Sequence, residues 1–147
     1  MDVKVLLGPE YQRPIAEIKA QQMTPKIEKV VAFIKNEQTT QKIMLNKGKE
    51  FILVEKELIY LIRTEIGKAV AYLEDGTWHE TNMTLMQLEE TLGNKFVRIS
   101  KSAIINLDAV QSVKAAFSGT LEVFLLNGLE ESISRKYRNN FKNRLGV

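Results

Sequence analysis

Apolar and polar positions follow two different rhythms along this chain. Residues 2–7, DVKVLL, alternate and predict a short strand, which Gly8-Pro9 breaks. Residues 15–20, IAEIKA, suit a second strand or a short helical piece. Thr24 is placed to cap a helix and Pro25 to open it. Ile27, Val30, Val31 and Ile34 then recur at helical spacing and make one apolar face. The helix is expected to end near Asn36, and the uniformly polar run 36–41, NEQTTQ, reads as a linker.

From Ile43 the period changes to that of strands. Runs at 42–46, 50–54 and 58–64 are rich in Ile, Leu, Val and Tyr, with Asn46-Lys47-Gly48 turning between the first two. A run at 68–74 leads into Asp75-Gly76, a hairpin signal, and a strand at 77–81. Thr84 and Gln87 form a capping box, Leu85, Leu88 and Leu92 share one helical face, and Gly93 is placed to stop that helix. A short strand at 96–99, a compact turn region at 101–107 and strands near 109–116, 120–126 and 129–134 follow, the last three joined through Ser118-Gly119 and Asn127-Gly128. Tyr137, Phe141 and Leu145, four residues apart, predict a closing helix over 135–145. The pattern therefore predicts a mostly β domain at 42–147 with one or two short helices, preceded by a small α/β segment at 1–41.

At 147 residues and 44% hydrophobic, the chain is long enough for one real core with an appended segment. It has no cysteine, which excludes disulfides, thiolate metal sites and cysteine nucleophiles and suits a reducing cytoplasm. Its longest apolar runs, such as Phe51 to Val54 and Leu58 to Ile62, are too short to span a bilayer, and the N-terminus lacks the pattern of a signal peptide. A cytoplasmic location is expected.

Little points to catalysis. The one histidine, His79, follows Trp78 in a predicted hairpin, where a packed or surface role is the ordinary one. No phosphate-binding loop, nucleophile elbow or zinc-protease string occurs. The acidic pairs Glu55/Glu57, Glu89/Glu90 and Glu130/Glu131 lie at turns, a helix face and a hairpin, where solvation accounts for them. We expect no enzyme, no catalytic residue, no metal, no cofactor and no small-molecule substrate.

Charge is more informative. The net charge is only +3, but residues 1–94 carry 12 basic and 14 acidic side chains, and residues 95–147 carry 9 and 4. From Ser134 to Arg144 the chain holds Arg135, Lys136, Arg138, Lys142 and Arg144 with no acid. A localised basic surface attracts phosphate backbones. The structural alternative is a solvated helix whose last-turn cations favour the dipole.

The most informative segment is 96–106, FVRISKSAIIN. Arg98 and Lys101 flank the end of a short strand and can bond phosphate or guanine edges. Ser102 can cap a turn or bond a phosphate oxygen, and Asn106 reads as closing the turn. This segment resembles the signature of the LytTR DNA-binding domain, F-x-R-x-H-[RK]-S-x-[IL]-[VI]-N. That family continues with strands, an Asn-Gly hairpin and a closing [IL]-S-R-x-Y before a short helix. Here those features are Phe96, Arg98, Lys101, Ser102, Asn106, Asn127-Gly128 and Ile133-Ser134-Arg135-Lys136-Tyr137. Two motifs in the right order, about thirty residues apart, are far more specific than either alone. The similarity covers roughly 42–147, with one departure: Ser100 stands where the family has histidine.

The resemblance implies an elongated, mostly β domain of a bacterial transcription regulator whose strand-connecting loops, not a recognition helix, enter successive major grooves of double-stranded DNA. Carried over position by position, Lys101 and Arg135 become candidates for base contacts, and Arg98, Ser102 and Lys136 for phosphate contacts. Lys68, after Glu65-Ile66-Gly67, matches a third contact loop more loosely, and Arg138 rests on charge alone. An adaptor that has lost strong DNA binding with Ser100 is the alternative. Regulators of this type often carry a phosphoryl-receiver domain. Too few residues precede position 42 to hold one, so no phosphorylation-driven control is expected. The helix and strand at 2–36 must bury an apolar face, either on the domain or in a homodimer. Some stand-alone relatives are restrained by a membrane-protein partner; the residues themselves carry no mark of one.

Overall fold

The computed structural model describes residues 1–35 and 41–146. The chain divides into two compact units, Met1–Gln38 and Thr39–Val147. The predicted linker falls almost wholly on residues 36–40, outside the described residues.

The first unit is built on helix α1, Pro25–Ile34. Thr24 caps it as expected: its Oγ1 accepts from the Ile27 amide at 3.3 Å, with Pro25 in the first helical position. The strand expected at 2–7 does not form, and 15–20 adopts no regular element either. Alternation says which face a strand would bury, but a strand exists only where a partner takes up its backbone groups. Residues 2–7 have no such ladder, and Val3, Val5, Leu6 and Leu7 are exposed. The segment is therefore helical plus irregular, not α/β.

The second unit is mostly β. Its larger sheet contains β1 (Lys42–Lys47), β2 (Glu50–Glu55), β3 (Ile59–Glu65), β4 (Lys68–Leu73), β5 (Trp78–Thr81), β6 (Phe96–Ser100) and β7 (Ala103–Asn106), in the order β2-β1-β5-β4-β3-β7-β6. A smaller sheet, β10-β9-β8, is built from β8 (Val110–Ala115), β9 (Leu121–Leu125) and β10 (Glu130–Ile133). Every pairing is antiparallel. Helix α2 (Leu85–Leu92) carries the predicted capping box, with Thr84 Oγ1 accepting from the Gln87 amide at 3.2 Å and Gln87 Oε1 from the Thr84 amide at 3.0 Å. Helix α3 (Arg135–Leu145) closes the chain and buries Phe141.

Burial explains the layering. Leu85, Leu88 and Leu92 of α2 share one core with Ile43, Leu45, Ile62, Ala71 and Ile104. The smaller sheet and Phe141 share a second core with Leu61, Val97, Ile99 and Ile105. Ile104 and Ile105, adjacent in sequence, thus serve opposite faces of the larger sheet. This corrects the compact turn expected at 101–107. Only 101–102 turn, and Ala103–Asn106 is a fully buried strand between β3 and β6. Asn106 is buried because its amide works for the fold: Nδ2 donates to the Ile59 carbonyl at 2.9 Å, and Oδ1 accepts from the Asp108 amide at 3.0 Å. Lys56, only 6% exposed, donates from Nζ to the Thr91 carbonyl at 2.6 Å and so satisfies one of the open carbonyls at the end of α2.

Candidate nucleic-acid interface

Antiparallel pairing of β3 with β7 sets two turns side by side at one end of the larger sheet. Arg63 lies opposite Ala103, and the Thr64 amide donates to the Ser102 carbonyl at 2.9 Å. The Ile66-Gly67 turn between β3 and β4 thereby adjoins the Lys101-Ser102 turn between β6 and β7. Lys68, Arg98 and Lys101 line one groove of about 600 Å³, with Thr84 and Met86 at the start of α2 on its other wall. Three of the sequence-predicted cations are thus brought together.

The turn at 100–102 is held by its own side chains. Ser100 Oγ accepts from the Ser102 amide at 3.1 Å, so the serine at the unusual position caps the turn. The Arg98 guanidinium lies beneath it: Nε donates to the Ser100 carbonyl at 2.8 Å, a second nitrogen bonds the Lys101 carbonyl, and Nη1 meets Glu89 at 3.1 Å. Arg98 is largely engaged within the fold. Lys101 is exposed and has no ion pair among the described residues.

The second basic locus is docked to the first through the backbone. The Ser134 amide donates to the Ile99 carbonyl at 3.0 Å, which fixes the start of α3 beside the end of β6. Ser134 occupies the N-cap, but its side chain makes no capping bond to α3 and turns towards Ile99 instead. Arg135 and Lys136 follow in the first turn, where cations oppose the helix dipole. Neither has an ion pair among the described residues, and Lys136 lies 5.7 Å from the Tyr137 ring centroid. An anion seated there would relieve both the open amides and the adverse charge.

The Arg135 stem passes close to Gly119: a Cβ at that glycine would sit 3.2 Å from Arg135 Cδ. Arg138 donates from Nη1 to the Gly119 carbonyl at 3.1 Å. These contacts bring the β8–β9 loop against α3. Lys142 and Arg144 sit in the last turn of α3, where they favour the dipole.

Two contributors escape a reading of the sequence. Ser100 looks like a lost histidine until its cap is seen. Arg63 stands inside an apolar strand, and that placement is its only sequence signal. Arg63 meets Glu65 and Glu131 at 3.1 Å each and lies 4.8 Å from the Tyr72 ring centroid. Through Glu131 it ties the larger sheet to β10, hence one basic locus to the other. Burial, then the hydrogen bond to Glu65, raises the Tyr72 phenol above its ordinary pKa, so it remains a neutral donor.

Fold and site together define a class: a β-sheet domain presenting basic turns at one end. Residues 49–146 match the model of the LytTr DNA-binding domain, and the chain belongs to that family. It is similar to the sensory transduction protein LytT of Enterococcus faecalis, at 29% identity over 142 residues, covering 92% of this chain and 58% of that protein. It is also similar, at 20% identity over 147 residues and 99% of the relative's length, to a protein described as an HTH-type transcriptional regulator in Staphylococcus aureus. A solved LytTr DNA-binding domain from Bacillus cereus superposes with a TM-score of 0.69 at 19% identity, covering 74% of this chain and 99% of that one. The chain spans a little over half the length of the LytT relatives, at 58% of each. Among the described residues no two α-helices follow one another without intervening strands, and no helix is long and apolar enough to cross a membrane.

Proposed function

We propose that this chain is a sequence-specific transcription regulator that grips double-stranded DNA through two basic loci in successive major grooves. Lys68, Lys101 and Ser102 form one locus; Arg135 and Lys136 form the other. The observation that supports this reading is the Ser134–Ile99 bond, which couples the Lys101 turn to the start of α3, where Arg135 and Lys136 lie, both within the family match. Lys101 and Arg135 contact base edges, while Ser102, Lys136 and Lys68 contact phosphates. Arg98 lines the groove beside Lys68 and serves mainly by shaping the Lys101 turn, and Arg138 supports Arg135 from below. The Ser100 cap supports retained DNA binding over an adaptor role, because it keeps the turn formed without the histidine.

Titration of labelled genomic duplexes by fluorescence anisotropy at several salt concentrations tests this. Binding should be selective among fragments and should weaken steeply with salt. Absence of binding at low salt would overturn the proposal.

The first unit has an apolar groove of about 430 Å³ lined by Ile18, Met23, Ile27, Val31 and Ile34. We assign it to homodimer formation in the cytoplasm, with a restraining membrane-protein partner as a second use of the same face. Light scattering of the full chain against a version lacking residues 1–41 decides the first point: equal protomer counts would remove dimerisation from this segment.

A further inference from the structure

The β3–β4 connection is a two-residue turn, since Glu65 pairs with Lys68. Its residues, Ile66 and Gly67, both have positive φ, +48° and +77°. Such a turn favours Asn or Gly at its first position, because a β-branched side chain clashes with the left-handed backbone. Elsewhere this chain uses the inexpensive pairs: Asp75-Gly76 and Asn127-Gly128 place only their glycines at positive φ. Ile66 is therefore the one β-branched residue among the described residues held in the left-handed region. It gains nothing from packing, being fully exposed at 105% of its reference area. Turn chemistry and burial both argue against isoleucine here, and residues kept against local preference concentrate at functional sites.

Its position supplies the reason. Ile66 caps the turn that adjoins Lys101-Ser102 and precedes Lys68, at the tip of the first proposed contact locus. The flanking cations draw that tip toward phosphate. An aliphatic side chain cannot hydrogen-bond a base edge, but it complements the one apolar feature of the major groove, the thymine C5 methyl. We propose that Ile66 is a specificity-determining residue that reads a thymine methyl. This rests on the DNA-binding reading above and adds a base preference to it.

The test begins with a duplex enriched by the wild-type protein from a randomised double-stranded library. Each thymine in it is then replaced by deoxyuridine, which removes the methyl and keeps every hydrogen-bonding group. Wild-type affinity should fall about fourfold at one or two positions, the factor expected for one buried methyl. Ile66→Ala should start about fourfold weaker, ignore uracil at those positions, and keep the same salt slope, since no charge is lost. Ile66→Asn should raise the Tm by relieving the turn while losing the same thymine preference. Equal uracil sensitivity in the wild type and Ile66→Ala overturns the thymine contact while selective, salt-dependent binding leaves DNA recognition standing. Failure of the wild type to enrich any duplex overturns both.

Discussion

The Ser134 amide bonds the Ile99 carbonyl at 3.0 Å, and this link sets Arg135 and Lys101 in fixed relation across two sheets. Neither residue's neighbours in sequence would do so, because β7, β8, β9 and β10 intervene along the chain. The bond can be deleted almost cleanly. Ser134 has φ −69°, already suited to proline, and follows the strand residue Ile133, which proline tolerates before it. Ser134→Pro should cost about 1–3 kcal/mol in urea unfolding, the penalty for leaving the Ile99 carbonyl unpaired. It should also lower specific DNA affinity by more than nonspecific affinity, because the two loci lose their spacing. An unchanged midpoint and unchanged selectivity would show that the two loci keep their spacing without this bond.

Arg63 and Glu131 provide a second tie between the sheets, 3.1 Å apart and with side chains 32% and 22% exposed. Partial burial places the pair above the usual surface range but well below a fully desolvated one. A double-mutant cycle with Arg63→Met and Glu131→Gln should give a coupling of about 1–2 kcal/mol. Coupling near zero would leave Arg63 paired in effect with Glu65 alone.

Much of the fold is legible along the chain because its signals are local. The Thr84 capping box, the Asp75-Gly76 and Asn127-Gly128 hairpins and the Tyr137–Phe141–Leu145 stripe each depend on neighbours a few residues away. The failures are non-local. Ala103–Asn106 is a short apolar run without alternation, and only its place between β3 and β6 reveals a strand buried on both faces. Residues 2–7 fail in the opposite way: a sound alternation has no partner strand. At the site, the types of Lys101 and Arg135 can be read in sequence. The Ser100 cap and the Arg63 tie cannot, since each exists only through a contact the topology creates.

Lys56 predicts a pH effect. Burial pushes its ammonium below the ordinary lysine value of 10.5. Between that lowered value and 10.5 the unfolded chain binds more protons than the folded one, so stability rises with pH. Tyr72 and Lys95 act oppositely, with folded values raised from 10.0 and 10.5, and their stabilisation fades as pH rises further. The Lys56 contribution should therefore appear as a stability gain as pH approaches 10.5 from below, opposed where Tyr72 and Lys95 begin to act. Lys56→Met should flatten that gain in urea melts taken across the range. An identical slope in the variant would assign the gain to another group.

Arg135 and Lys136 are adjacent, carry the same charge and share the first turn of α3, yet distinct roles predict distinct outcomes. Arg135, with its stem close along Gly119, is the one proposed to contact a base edge. Arg135→Ala should weaken binding to a preferred duplex by about 1–3 kcal/mol and relax selectivity, with a smaller effect on nonspecific DNA. Lys136 is assigned to phosphate, so Lys136→Ala should weaken all duplexes alike and reduce the salt slope by about one. Both variants should melt near the wild-type temperature or slightly above it, because each removes a cation from the positive end of a helix. Measuring affinity at a series of salt concentrations for one preferred and one arbitrary duplex separates the two patterns. If both substitutions reduce affinity uniformly, the second locus grips the backbone only, and sequence reading would rest with the turns around Lys101.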